Sequence, residues 1–272
     1  MDSLIRTNTA DWTENSSLDC QLQLLKRNQR KGSKPRCHAL TRGPRKEAAK
    51  RLTELMGSVG FVREDDFWMP DGFERLDEAQ LHNSPCLLDV TRYGDRLKGW
   101  WLAEAGSKPR TPNWDIASTC TIEGKPGLLL VEAKAHIAEL KADDRCGARS
   151  AKNLHQISAA IREANDALNL IRPGWGLSHE THYQLSNRFA WSWKLASLGI
   201  PVVLVYLGFL NADKMKNPFK DEQAWEKAVR EYADKILPES IWGDILVVNC
   251  VPIYPLIRST EISLNRVGIR TI

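Results

Sequence analysis

One short apolar run limits the folds open to this chain more than any other feature. Val202-Val203-Leu204-Val205-Tyr206-Leu207 is apolar at both odd and even positions. Because the side chains of a strand alternate between the two faces of its sheet, this run predicts an interior strand that is covered on both sides. The chain is therefore expected to contain a sheet with other elements packed against each face.

Further strand and helix signals surround this run. Residues 115–122 are rich in β-branched side chains, a tight-turn sequence occupies 123–127, and a second apolar run follows at 128–131, which together predict a hairpin. Helices are predicted from Pro44, over about 87–102, 153–171 and 183–198, and around Trp225, with a last strand near 245–251. This order predicts an α/β fold with a mixed β-sheet core flanked by helices.

Basic residues are concentrated near the start of the chain. Residues 26–51 contain eleven lysines and arginines against one glutamate, a net +10, and since the whole chain carries +4 the remainder carries −6. A basic segment of this kind is typical of proteins that bind a polyanion, although a solvated tail has the same composition. We expect residues 1–43 to form a flexible basic arm and residues 44–272 to form one α/β domain.

Bulk properties exclude several classes of protein. The chain has no signal-peptide pattern and no run of about 18 apolar residues, so we expect a cytoplasmic protein that does not contact a membrane. Its six cysteines stand singly, with no CxxC pair, and are predicted to be free thiols. The sequence is compatible with a homodimer but does not indicate one.

Two charged residues follow the second apolar run. Residues two apart in a strand share a face, so Glu132 and Lys134 point the same way, while positions 129, 131, 133 and 135 are all apolar. Burying an unpaired charge is unfavourable. The predicted hairpin folds Asp115 back to the same end of the sheet, where it and Glu132 can share a divalent cation with Lys134 beside them. Mg²⁺ prefers such oxygen ligands.

The segment also has an alternative interpretation as a helix. Residues 128–140 are mostly helix formers and contain an apolar stripe at helical spacing. Pro126-Gly127 and the β-branched partner segment favour the strand. The acid-x-Lys triplet carries little weight by itself, because it occurs three times in the chain, beginning at Glu123, Glu132 and Glu139.

The motif resembles that of a known superfamily. Pro112-Asn113-Trp114-Asp115, then a turn, then Glu132-Ala133-Lys134 after an apolar strand is similar to the PD-(D/E)xK nuclease superfamily, also called restriction-endonuclease-like. The resemblance covers about residues 85–210 and implies a core of helix, three strands, helix and strand. It implies that Asp115, Glu132 and the backbone carbonyl of Ala133 are metal ligands and that Lys134 is the catalytic lysine. Two features depart from the pattern: the proline lies three residues before Asp115, and two predicted helices, not one, precede the next strand.

The resemblance also implies supporting residues. Members often place a Gln or Arg from a following helix near the site, and Gln156, Gln184 and Arg188 are the candidates here. Some members bring a further acid from an early helix, for which the sequence leaves Asp95 and Glu104 open. The residues predicted to contact nucleic acid are Lys26, Arg27, Arg30, Lys31, Lys34, Arg36, Arg145 and Arg149.

Together these features predict a metal-dependent nuclease that hydrolyses DNA phosphodiester bonds, an endonuclease of restriction, repair or defence type. Mg²⁺ is the expected cofactor, and Mn²⁺ is expected to substitute for it. Two alternatives stay open: a non-catalytic nucleic-acid-binding protein on the same fold, and a nuclease that acts on RNA.

Overall fold

The computed structural model describes residues 18, 20–104, 110–264 and 269–270. The main helices are α1 (Ser33–Thr41), α2 (Arg45–Met56), α3 (Val90–Trp101), α4 (Ala151–Ile171), α5 (Tyr183–Ser197) and α6 (Glu222–Ala233). The strands are β1 (Gly60–Phe61), β2 (Trp68–Met69), β3 (Ile116–Ile122), β4 (Lys125–Lys134), β5 (Val202–Leu210), β6 (Leu246–Val248), β7 (Val251–Ile262) and β8 (Ile269–Arg270).

The described strands form one mixed sheet in the order β1-β3-β4-β5-β7-β6, with β2 also paired to β3 and β8 to β7. The β3–β4 hairpin is antiparallel, whereas β4, β5 and β7 run parallel to one another. Helices α4 and α5 connect β4 to β5, and α6 lies between β5 and β7. This is a mixed α/β architecture with helices on both faces of the sheet, as the apolar β5 run predicts.

Alternation along β4 divides the core between the two faces. Leu128 and Leu130 pack into a tryptophan-rich core with α3, α4, α5 and α6. The odd-numbered positions 129, 131, 133 and 135 pack into a second core with α1 and α2. The predicted sharing of faces is confirmed, and the alternative interpretation of residues 128–140 as a helix is wrong. The hairpin register and the parallel pairing with β5 hold this segment extended as far as Lys134.

The N-terminal region differs from our expectation of a flexible arm. Residues 1–17 and 19 lie outside the described part of the chain, but residues 33–41 form helix α1, which is buried in the second core. Arg36 in this helix is fully buried and pairs with Asp213 at 2.6 Å, and it also donates to the carbonyls of Gly32 and Ile262. The many basic residues of the segment suggested an exposed arm, but its apolar residues, which include Cys37 and Leu40, are buried.

The C-terminal part of the sheet is also larger than predicted. Instead of one last strand near 245–251, the chain forms the short β6, a tight turn at Asn249 and Cys250, and the twelve-residue β7. Pro252 and Pro255 mask the strand pattern, because proline cannot donate to a ladder, but pairing with β5 extends β7 well beyond them. No described helix combines the length and apolar character needed to cross a membrane.

Candidate active site

A polar cleft of about 820 Å³ opens where β3 begins and β4 ends, beside the first turns of α5. Asp115, Glu132 and Lys134 all line it, and so do Gln184 and Arg188 of α5. Their convergence follows from the topology. The hairpin register pairs Ile116 with Val131, so Asp115 lies beside Glu132. Gln184 and Arg188 are four residues apart on α5 and therefore share a helical face.

Asp115 is held by the backbone of the neighbouring strand. Its Oδ2 accepts a hydrogen bond of 2.8 Å from the amide N–H of Ala133. Asp115 has no ion-pair partner among the described residues. Burial, and then the negative charge of Glu132, raises the pKa of Asp115 from 3.8 to about 7. The nearby charge of Lys134 lowers this pKa but does not offset burial, so Asp115 is an acid without a direct ion pair among the described residues.

Glu132 is fully buried and bonded to two cations. Lys134 Nζ donates to its Oε1, and Arg188 contacts its Oε2 through Nε at 2.7 Å and through a terminal nitrogen at 2.6 Å. Burial raises the pKa of Glu132, but the charges of Arg188 and Lys134 outweigh burial, and the net pKa is lowered. Glu132 is therefore ionised at neutral pH.

Lys134 is almost completely buried, and its Nζ also donates to Gln184 Oε1 at 2.7 Å. Burial lowers the pKa of this ammonium, but the charges of Glu132 and Asp115 outweigh burial and raise it above its ordinary value. Lys134 therefore stays protonated at neutral pH, which makes it a source of positive charge in the cleft and not a base.

Arg188 is fixed from several sides. The terminal nitrogen that contacts Glu132 also donates a hydrogen bond to the carbonyl of Asn113 at 2.7 Å. The guanidinium lies over the Trp114 ring, 4.4 Å from the ring centre. These bonds orient the guanidinium, which in turn orients the carboxylate of Glu132. Helix α5 is tied to the cleft by Asp144, whose Oδ2 accepts from the amide of Gln184 at 2.8 Å.

The sequence did not identify Glu78, which also lines the cleft. Its two oxygens accept from Lys34 Nζ at 2.8 Å and from Asn113 Nδ2 at 2.9 Å. A single bridge between Ala79 and Trp114 brings it there. No local pattern predicts this long-range pairing. Glu78 lies on a loop and not on an early helix, and the two acids that the sequence left open, Asp95 and Glu104, do not line the cleft.

Several predicted site residues lie elsewhere. Gln156 donates to the carbonyl of Trp100 at 2.9 Å and ties α4 to α3, because its helical face is turned away from the cleft. Glu104 pairs with Lys152 at 2.7 Å outside the cleft, and Asp95 is exposed on α3.

The residues predicted to contact nucleic acid fall into two groups, those that bond within the protein and those that remain exposed. Arg36 is committed to the core, Lys34 to Glu78, and Arg30 donates to the carbonyls of Leu25 and Gln23. Those left exposed are Lys26, Arg27, Lys31, Arg145 and Arg149. Of these, Arg145 lines the cleft.

The donor set of the cleft restricts which metal it can hold. Within the described residues, no group of three or more His, Cys, Asp and Glu side chains is placed to hold a metal ion. The cleft offers the carboxylates of Asp115 and Glu132 beside the backbone of Ala133. Mg²⁺ often takes only one or two protein carboxylates and completes its octahedron with water and phosphate oxygens. These donors fit Mg²⁺, whereas they do not fit the nitrogen and sulfur coordination of structural zinc.

Comparison of the chain with protein-family models, curated proteins and solved structures finds no match.

Proposed function

We propose that this protein is a metal-dependent nuclease that hydrolyses DNA phosphodiester bonds on a restriction-endonuclease-like fold. The observation that carries the proposal is the meeting of Asp115, Glu132 and Lys134 in one polar cleft. Three features add support: Asp115 forms no direct ion pair with a described residue, Lys134 is held in its protonated form, and the exposed Arg110 and Arg145 line the cleft.

The charges of the buried cluster suit both a cation and a phosphodiester. With Asp115 ionised, Asp115 and Glu132 balance Lys134 and Arg188, so the cluster is neutral. Asp115, Glu132 and the carbonyl of Ala133 would hold Mg²⁺, which when bound polarises a phosphate and lowers the pKa of a water ligand. The site would then carry a net positive charge toward the anionic substrate.

The side chains of the chain have separate roles in this proposal. Lys134, as a protonated donor, stabilises the additional negative charge that develops on the phosphate oxygens in the transition state. Gln184 orients Lys134, and Arg188 orients Glu132. The pKa of Asp115 is about 7, so its carboxyl group is partly ionised near neutral pH, and the ionised form would hold the cation.

A cleavage assay with matched lysine variants tests the proposal. Wild type, Lys134→Ala and Lys125→Ala are incubated with supercoiled plasmid and with RNA, in Mg²⁺, Mn²⁺ or EDTA. Lys125 is the control, because it lies on the same strand but is exposed and belongs to another Glu-x-Lys triplet. We expect wild type and Lys125→Ala to cut DNA only with metal and Lys134→Ala to lose at least about a hundredfold in rate, the loss typical of removing one transition-state donor.

Two results would contradict the proposal: equal cleavage by wild type and Lys134→Ala, or no cleavage of DNA in either metal. Cleavage of RNA alone would reassign the substrate. Circular dichroism of each variant establishes that it is folded.

One observation favours a second function, that of a non-catalytic nucleic-acid-binding protein. Both carboxylate oxygens of Glu132 already have cationic partners in Lys134 and Arg188, so its charge is neutralised without a metal ion. This function predicts salt-sensitive DNA binding, no cleavage in any divalent cation, and the same affinity for wild type and Asp115→Ala.

A further inference from the structure

A second cavity, of about 660 Å³, adjoins the catalytic cleft. Arg110 and Tyr183 line both spaces, so the two are neighbours at these residues. The second cavity differs in character from the first. Its lining includes the buried apolar side chains Leu102 and Ile157, whereas the lining of the cleft includes Asp115, Glu132 and Lys134.

Three arginine side chains that line the cleft or the second cavity have no bonding partner among the described residues. The side chains of Arg110, Arg145 and Arg149 are exposed and form no hydrogen bond or ion pair with any described residue. Arg145 lies on the cleft, Arg149 on the second cavity, and Arg110 on both. By contrast, Arg172 pairs with Asp244 at 2.6 Å. Three unpaired guanidinium groups along one path suit the successive phosphates of a nucleic-acid strand.

The junction also offers an aromatic surface. Tyr183 is the first residue of α5, is half-buried, and donates its backbone amide to the carbonyl of Asp144 at 3.2 Å, which holds it beside both spaces. Aromatic rings next to a basic groove are the usual platform for an unpaired base. A base within a duplex is stacked and paired and cannot enter a lateral cavity unless it leaves the helix.

We propose that the second cavity receives an unpaired nucleobase, next to the phosphate bound in the catalytic cleft, and that the preferred ligand is therefore single-stranded or locally melted DNA. This inference rests on the proposed function for the position of the scissile phosphate. Arg110 and Arg149 bind the flanking phosphates, the base stacks against Tyr183, and Leu102 and Ile157 form the apolar floor below it.

Binding of short oligonucleotides tests this inference without cleavage. The probe is a single strand containing one 2-aminopurine, whose fluorescence reports on stacking, with the matched duplex and a strand abasic at that position for comparison. Titrations are made in EDTA and in Ca²⁺. Gly147→Trp is the blocking variant: Gly147 lines the cavity, and a Cβ there meets no atom within 4 Å. Gly99→Trp is its control, on an exposed site that is equally open and lies outside both spaces.

We expect wild type and Gly99→Trp to bind the single strand more tightly than the duplex. Gly147→Trp should weaken single-strand binding at least about fivefold, the factor expected for one stacked base, and leave binding of the abasic strand unchanged. Arg149→Ala, which alters only an exposed side chain, should weaken the binding of both the intact and the abasic single strand.

The inference is overturned if Gly147→Trp binds the intact single strand as wild type does, or if it weakens duplex and single strand equally. If wild type and Gly147→Trp cleave duplex DNA at the same rate, the inference is overturned and the proposed nuclease function still stands. The expected binding pattern without cleavage in Mg²⁺ would instead support the cavity and contradict the nuclease.

Discussion

Replacing Asp115 with asparagine removes the charge of this side chain while keeping its shape. The asparagine oxygen can still accept the hydrogen bond from the amide of Ala133, which is 2.8 Å long in the native protein. The native carboxyl has a pKa of about 7, against 3.8 ordinarily, chiefly because it is buried and also because Glu132 is nearby. Ionising it in the folded, metal-free protein therefore opposes folding.

Proton linkage determines the sign and size of the contribution that Asp115 makes to the free energy of unfolding. Between about pH 4 and pH 7 the folded state holds a proton on Asp115 that the unfolded state has lost, so this carboxyl makes the protein less stable as pH rises. The difference of about 3 pH units, at about 1.4 kcal/mol each, sets a ceiling of about 4 kcal/mol. Because water in the cleft screens the half-buried group, we expect Asp115→Asn to be more stable than wild type by about 1 to 2 kcal/mol at pH 8.

Urea unfolding in EDTA, followed by tryptophan fluorescence at pH 4.5 and pH 8, measures this difference. The advantage of Asp115→Asn should be largest at pH 8 and shrink at pH 4.5, while its DNA cleavage is lost. Asp143→Asn, on an exposed loop position, is the control and should match wild type. Buried histidines such as His38, whose burial lowers the pKa, are common to all three proteins and cancel. An Asp115→Asn protein that is no more stable than wild type at pH 8 would refute the reasoning.

Two further changes test the packing that supports the site. Gly208 on β5 lies opposite Lys134, and a Cβ there would meet the Trp225 ring at 2.5 Å. Gly208→Ala should therefore lower the free energy of unfolding, measured by urea titration, by about 1 to 3 kcal/mol. An unchanged value would mean that this strand can move away from α6. Arg36→Met removes a fully buried cation from Asp213 and should cost about 3 kcal/mol by the same assay, whereas a flexible N-terminal segment would show no loss.

The parts of the fold that the sequence predicts are those governed by local periodicity. The two-sided apolar run of β5 predicts a covered sheet, and alternation along β4 puts Glu132 and Lys134 on one face. The resemblance named Gln184 and Arg188 as candidates from a following helix, and both bond to the buried cluster.

The features that the sequence does not predict depend on long-range pairing. Glu78 reaches the cleft through one bridge between Ala79 and Trp114, in a segment with little periodicity. The rotation of α4 about its axis turns Gln156 toward α3, and spacing alone does not fix that rotation. Positive charge predicts exposure, and hence nucleic-acid contact, for Arg36, but two of its partners, Asp213 and Ile262, lie more than 170 residues away in the sequence.

Anomalous diffraction from a crystal soaked in Mn²⁺ tests the central claim most directly. We predict one strong Mn²⁺ peak within about 2 Å of a carboxylate oxygen of both Asp115 and Glu132, with Glu132 released from Lys134 or Arg188 on one side. A soaked crystal with no peak at this position, and with Glu132 still held by both cations, would contradict the account.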